Sequence, residues 1–220
     1  MSVPFCPPWE RRSHTASTSR LTAAPAVTPE IAPAAHTSLG GVYARPDCST
    51  SVEGLFVCGE TLGGLHGANR IGGNAGLETM VFGRRAGCSA AAYMDTLSGE
   101  PADCTDEISD AAATVNIDAL RAELTKIVGG ALGVIREAGK LEQAKTELER
   151  MLEQIPESGC YAQQRLRNDT LTAYAVTLAA LERKTSTGCH VRTDSAGEPE
   201  KYRVNIRCEN GRAVPRRAEI

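Results

Sequence analysis

The sequence predicts an α/β segment followed by an α-helical bundle and a short β tail. Three observations predict it. The apolar run Leu55-Phe-Val-Cys58 is bounded by Gly54 and Gly59, and it precedes a long apolar segment that starts at Gly72-Gly73-Asn74. Further on, apolar residues recur every three or four positions from Leu120 to Leu181, the period of helices with one buried face. Last, Tyr202-Arg-Val-Asn-Ile-Arg-Cys208 alternates apolar and polar residues ahead of Asn210-Gly211, a strand and turn signal.

Composition narrows the function classes. The chain has 220 residues, 41% of them apolar and 23% charged, as in ordinary globular proteins. A net charge of −3 gives no reason to expect nucleic acid or an anionic membrane as partner. No stretch reaches the ~18 consecutive apolar residues of a membrane span, and the first residues lack the apolar middle of a secretory signal. The expected location is cytoplasmic; the alternative is membrane association through a partner subunit. The eight cysteines are scattered without a C-x-x-C pair, which argues against a zinc site or an iron–sulfur cluster and for reduced thiols.

In chain order, residues 1–30 are rich in Pro, Ser, Thr and Ala and predict an irregular leader. Residues 31–97 form the α/β segment. In it, the stretch from Ala34 to Tyr43 is a loop leading into a short strand, and Leu55–Cys58 reads as a buried strand. A helix is expected from Asn74 to about Thr96. Its small residues (Gly83, Ala86, Gly87 and Ala90 to Ala92) predict deep packing against a sheet, because glycine within a helix costs roughly 0.5–1 kcal/mol relative to alanine and needs a reason. The acidic, turn-rich stretch 98–107 is a linker. Residues 108–195 hold three predicted helices: one from Asn116 that weakens at Gly129-Gly130, one carrying Leu141, Ala144, Leu148, Leu152 and Ile155 that stops before Pro156, and one carrying Leu166, Thr170, Tyr174, Leu178 and Leu181. These stripes fit a small antiparallel bundle. Residues 196–220 form the β tail.

The run His66-Gly-Ala-Asn-Arg70-Ile-Gly-Gly-Asn-Ala75-Gly-Leu-Glu78 carries most of the chemistry. Gly72, Gly73 and Asn74 lie where a helix begins, and the first N–H groups of a helix have no partner within it. Such a terminus attracts an anion or an oxygen that becomes negative during a reaction. Arg70 is a fork-shaped donor matched to carboxylate or phosphate; the plainer reading is a surface arginine or an ion pair on the helix side. His66 is open to two readings, a place near a ligand or a structural hydrogen bond. Adjacent Cys189 and His190 are poorly placed to bind one metal ion, and no metal ligand is assigned.

The longer run from Gly54 to Gly87, GLFVCGETLGGLHGANRIGGNAGLETMVFGRRAG, resembles the carboxyl-terminal signature of the flavoprotein subunits of succinate dehydrogenase and fumarate reductase. L-aspartate oxidase and adenylylsulfate reductase flavoproteins are relatives of that family. The resemblance covers roughly Thr28 to Cys208. It implies that Arg70 holds a carboxylate of a dicarboxylate substrate and that His36, in a His-x-x-x-Gly-Gly block, also contacts it. The family often has an aromatic residue and a Met in this block, where Thr37 and Leu39 stand here. The resemblance also implies FAD as cofactor, with Glu60 accepting hydrogen bonds from the ribityl hydroxyls and Asn74, Ala75 and Gly76 lying at the flavin. A helix N-terminus aimed at the flavin N1–C2=O edge would stabilise the charge that appears on reduction. A second block, Arg183 to Asp194, is similar to the family's Arg-x-Glu-Ser-Arg-Gly-Ala-His-x-Arg-x-Asp; the family's Glu and second Arg are replaced by Thr185 and Thr187. This block is read as structural or partner-facing.

Full-length members of that family begin with a G-x-G-x-x-G loop in a βαβ unit and contain a capping domain that supplies a proton-donating arginine. Neither has a counterpart in this sequence, so no catalytic residue is assigned. The expectation is part of an FAD-dependent oxidoreductase that transfers a hydride between flavin and a dicarboxylate, incomplete as an isolated chain. Its expected partners are an iron–sulfur subunit or an N-terminal flavoprotein half. One alternative is a non-catalytic helical module that binds an iron–sulfur or other protein. Another is a carboxylate-binding domain without redox chemistry.

Overall fold

The computed structural model describes residues 35–99, 113–198 and 201–219. The leader expected over 1–30 lies outside the described residues, and so does most of the 98–107 linker. The chain divides into two units, residues 1–36 and residues 37–220. Of the first, Ala35 and His36 are described, and both are exposed.

The second unit begins with a glycine-rich stretch whose strand pairing consists of single bridges. Val42 bridges Leu62 in parallel, and Ser49 bridges Phe56 antiparallel. Leu55–Cys58 is therefore not the buried strand its composition suggests: Val57 is buried, while Leu55 is half exposed and Cys58 is exposed. The reason is local. The turn at Arg45–Thr50 folds back on the run, with Val57 N–H donating to Cys48 O and Thr50 N–H to Leu55 O, both at 2.9 Å. Two residues on each side are then enough to satisfy the backbone.

Helix α1 spans Asn74–Met94. One side rests on the 46–56 turns: Arg85 donates to Pro46 O at 2.9 Å, and the Tyr93 ring packs against Phe56. The small-residue pattern predicts a deeply packed helix, and the structure corrects this. Only Glu78 and Ala86 of α1 are buried, and Leu77, Met80, Val81 and Met94 are 65, 77, 45 and 60% exposed. Among the described residues nothing covers that stripe.

The bundle follows the sequence closely. Helix α2 (Ile117–Ala131) starts at Asn116, whose side chain accepts from Ala119 N–H, the expected N-cap geometry. It runs through Gly129 and Gly130, where the sequence predicts weakening, and ends at Ala131. Helix α3 (Ala138–Gln154) stops one residue before Ile155-Pro156, as proline requires. Helix α4 (Tyr161–Glu182) completes the group. Leu124, Ile127, Leu148, Met151, Ile155, Leu166 and Ala173 form one buried cluster, and each large apolar side chain in it contributes roughly 1.5–3 kcal/mol by leaving water. Thr170 and Thr177 are buried in α4 because their hydroxyls donate to Leu166 O and Ala173 O, each at 2.8 Å.

Between α2 and α3, β1 (Ile135–Arg136) pairs in parallel with β2 (Val191–Arg192). The tail is a hairpin of β3 (Tyr202–Glu209) and β4 (Arg212–Glu219). Asn210 and Gly211 both have positive φ, 52° and 75°, the pair that a two-residue hairpin turn needs. Tyr202 is buried against α4, with its hydroxyl donating to Glu182 O.

Candidate functional site

Three stretches of the second unit meet around the glycine-rich loop 64–73. The first is residues 38–43. Val42 N–H donates to Thr61 O at 2.8 Å, and Gly63 N–H donates to Val42 O at 3.0 Å. The two backbones lie so close that a Cβ on Gly63 would stand 2.9 Å from Gly41 O. Gly41 and Gly63 are thus explained by their mutual contact, whereas Gly40 and Gly64 meet nothing within 4 Å and carry positive φ, 98° and 96°. Ser38 N–H donates to Glu60 Oε1 at 2.8 Å, so the carboxylate tethers the same stretch.

The second is the start of α1. Gly73 caps the helix in the left-handed conformation (φ 87°); Asn74 N–H donates to Ile71 O at 3.3 Å, and among the described residues no side chain accepts from the first-turn N–H groups. Gly72 and Gly76 have ordinary φ, and a Cβ on either would meet nothing within 4 Å. The chain's own packing does not require glycine at those two places, which leaves the helix start open to a ligand. Asn74 and Gly76 are exposed and Ala75 is half-buried. Gly59, beside Glu60, faces Thr79 of the next turn, so Glu60 and the helix start share one neighbourhood.

The third is the turn Thr187–His190 of the helical segment. Cys189 N–H donates to Ala68 O at 2.9 Å, and the Cys189 thiol lies 3.3 Å from Asn69 Oδ1. Gly188 has φ 52°, and a Cβ there would overlap the Ala68 carbonyl. His190 is buried, accepting from Arg136 at Nδ1 (2.9 Å) and donating from Nε2 to Arg183 O (2.9 Å). Burial pushes its pKa down, and three neighbouring guanidiniums add to the effect. Arg192 forms a bidentate pair with Asp194 (2.7 and 2.8 Å) and donates to Ala180 O and Arg183 O. The hydrogen bonds from Arg192 hold the Asp194 carboxyl far below the usual carboxylate range. Ser186, His190, Arg192 and Asp194 therefore work as a structural knot, the first of the two roles the sequence left open for this block. The altered position Thr185 is buried with its hydroxyl unpaired.

Arg70 sits in the loop these stretches enclose. It is partly buried, its Nε lies out of reach of solvent without a hydrogen-bond partner, and it makes no ion pair among the described residues. A guanidinium whose Nε is shielded from solvent and unpaired is placed to take an anion. His36 belongs to the first unit and is exposed. His66 resolves toward the structural reading: its Nε2 lies 2.7 Å from Glu78 Oε2. Sequence reasoning placed Glu78 and Gly188 within its motifs but missed the contacts they make. A lone acid inside an apolar helix was the available signal for the first. For the second, a glycine between Thr and Cys was available, but its partner is 120 residues away.

Comparison with known proteins gives matches over most of the chain. Residues 9–75 match a family model described as an FAD binding domain, and residues 121–205 match one described as the C-terminal part of a fumarate reductase flavoprotein. An uncharacterized FAD-dependent oxidoreductase of Methanocaldococcus jannaschii is 35% identical over 189 residues, 80% of this chain and 35% of that protein. A fumarate reductase (CoM/CoB) polypeptide of Methanothermobacter marburgensis is 34% identical, covering 75% of this chain and 33% of that one. The structure of Mycobacterium smegmatis Sdh1 in complex with UQ1 superposes with a TM-score of 0.66 at 29% identity, over 84% of this chain and 35% of that chain. The chain thus spans about a third of the length of each of these relatives.

Proposed function

The chain belongs to the succinate dehydrogenase and fumarate reductase type of FAD flavoproteins, as their carboxyl-terminal portion, and from that premise we propose that it forms one wall of a site for hydride transfer between flavin and a dicarboxylate. The observation that carries this reading is Arg70, whose buried, unpartnered Nε lies just ahead of an uncapped helix start. A planar, permanently charged fork in that position suits one carboxylate of the substrate.

FAD is the family's cofactor, and the residues present fit it. The N–H groups at Ala75 and Gly76 and the bare faces of Gly72 and Gly76 leave room for a flat ring, and Glu60, whose carboxylate holds Ser38 N–H, lies in the same neighbourhood. When bound, FAD supplies the two-electron chemistry. This chain's part is to bind: Arg70 orients the substrate carboxylate, and the α1 terminus favours negative charge beside it.

The site needs a second polypeptide segment. No G-x-G-x-x-G loop stands in the sequence, and the uncovered stripe Leu77, Met80 and Val81 supports a missing wall of apolar surface. That wall is an N-terminal flavoprotein half, and an iron–sulfur subunit would connect the flavin to an electron carrier. No described helix is long and apolar enough to cross a membrane, and attachment through such subunits is the reading for any membrane association.

The test is to purify the chain alone and together with the N-terminal, FAD-binding half of a relative. Alone it is expected to lose FAD on gel filtration and to leave fumarate unreduced; together the two are expected to stay yellow and turn over. Arg70→Ala in the assembly is expected to raise the KM for fumarate about tenfold to a hundredfold, the loss of one charge-assisted contact. An isolated chain that stays yellow and active would refute the missing-wall reading, and an unchanged KM would refute the role of Arg70.

A further inference from the structure

We propose that the Thr187–His190 turn of the helical segment is a positioning element for Arg70: it fixes the backbone from which the guanidinium projects. The proposal rests on the reading of Arg70 as a carboxylate clamp and adds what holds the clamp in place.

A clamp works when its fork is already aimed, because misplacement by about 1 Å can cost a hundredfold. Arg70 cannot be aimed by its own head, since Nε has no partner and no hydrogen bond or ion pair of the side chain occurs among the described residues. Its direction must come from its backbone. The two residues before it are the ones that are pinned: Ala68 O accepts from Cys189 N–H, and Asn69 Oδ1 meets the Cys189 thiol.

The other side of this contact is rigid. Thr187 and His190 exchange backbone hydrogen bonds at 2.8 and 2.9 Å and close the turn on itself. His190 anchors its far end in the buried network with Arg136 and Arg183 O. Ser186 anchors the near end: its hydroxyl accepts from Arg192 N–H at 2.9 Å, and its own N–H donates to Ser195 Oγ at 3.1 Å. Gly188 lets the two backbones touch, because any Cβ would overlap the Ala68 carbonyl. Removing that fit therefore pushes Ala68, Asn69 and the first atoms of Arg70 away together.

The experiment follows the Arg70 Nε–Hε resonance of the full chain labelled with 15N-arginine, assigned through Arg70→Lys. In Gly188→Ala this resonance is expected to shift and broaden while the methyl resonances of Leu148 and Met151 stay in place. Cys189→Ala and Asn69→Ala, which keep the turn's backbone, are expected to move it in the same direction, and Cys189→Ser to restore it. Should Gly188→Ala fail to fold, these three variants decide. An Arg70 resonance that stays at its wild-type position in the folded variants overturns the proposal. Titration of the assembly with the FAD-binding half by succinate separates this from the clamp reading: the wild-type assembly is expected to bind, with affinity falling about tenfold in Gly188→Ala. Loss of the resonance shift sinks the positioning role, whereas a moved resonance with an assembly that never binds succinate keeps the positioning role and sinks the clamp.

Discussion

His66 Nε2 lies 2.7 Å from Glu78 Oε2 and closes the glycine-rich loop onto the first turns of α1. The carboxylate side chain is 5% exposed and the imidazole 17%, and Glu78 Oε1 has no partner. The pair joins two residues twelve positions apart, so it sets the span of the loop that contains Arg70. It is the loop's second attachment, opposite the one at Cys189.

Loss of His66 leaves a buried carboxylate without any partner, and an unmet buried acceptor costs about 1–3 kcal/mol. His66→Ala is therefore expected to lower the unfolding free energy, read from urea titration, by that amount. Adding Glu78→Leu removes the orphaned group, and replacing both partners by apolar ones is close to neutral. The double variant is expected to recover most of the loss. Two losses that simply add would show that the imidazole and the carboxylate act independently.

Leu148 and Leu77 separate the two halves of the second unit by their response to the same change. Leu148 is fully buried in the bundle, and Leu77 is 65% exposed on α1. Leu148→Ala is expected to cost about 2–5 kcal/mol through lost burial and a cavity. Leu77→Ala is expected to stay within about 0.5 kcal/mol. Thermal unfolding of both variants measures the difference, and comparable losses would mean that the α1 stripe is covered in solution.

The bundle was legible because its signals are local. Asn116 caps α2, Pro156 stops α3, and the leucine spacing marks the faces that end buried. The hairpin's first strand and turn were legible for the same reason. Its second strand, β4, carries Pro215 and Arg216 and Arg217 mid-strand, which no alternation rule selects. In the glycine-rich segment the sequence marked the residues but not their contacts. The small residues of α1 signal close approach without naming what approaches, so the predicted deep packing was not met by the described residues. Gly188 illustrates the limit best. Its need for glycine comes from Ala68, a contact across the chain that no window of sequence contains.

The stripe on α1 yields a prediction about assembly. Charges at Leu77 and Met80 face solvent in this chain, so Leu77→Lys with Met80→Lys is expected to leave its melting temperature nearly unchanged. The same charges would be driven into an apolar contact if the stripe meets the FAD-binding half, where an unpaired charge is strongly disfavoured. Copurification with that half is expected to be lost. Retention of the complex by the double variant would place the joining surface elsewhere.

His190 and Asp194 contribute to acid stability in two separate windows. Burial depresses the His190 pKa below its ordinary 6.5, so below that pH the unfolded chain takes up a proton that the folded chain refuses. Stability is then full above about pH 6.5 and falls as the pH drops from there toward the folded value, by at most about 1.4 kcal/mol per pH unit for one proton. Asp194 works lower down. Its folded pKa is held below its ordinary 3.8 by Arg192, so its contribution is present above pH 3.8 and is lost as the pH falls further. His190→Gln is expected to flatten the decline that begins near pH 6.5 and to leave the step below pH 3.8, whereas Asp194→Asn is expected to reduce that lower step. The readout is the urea midpoint measured at half-unit intervals from pH 8 to pH 3. An upper decline that persists in His190→Gln would assign it to another group and remove the buried imidazole from the account of acid stability.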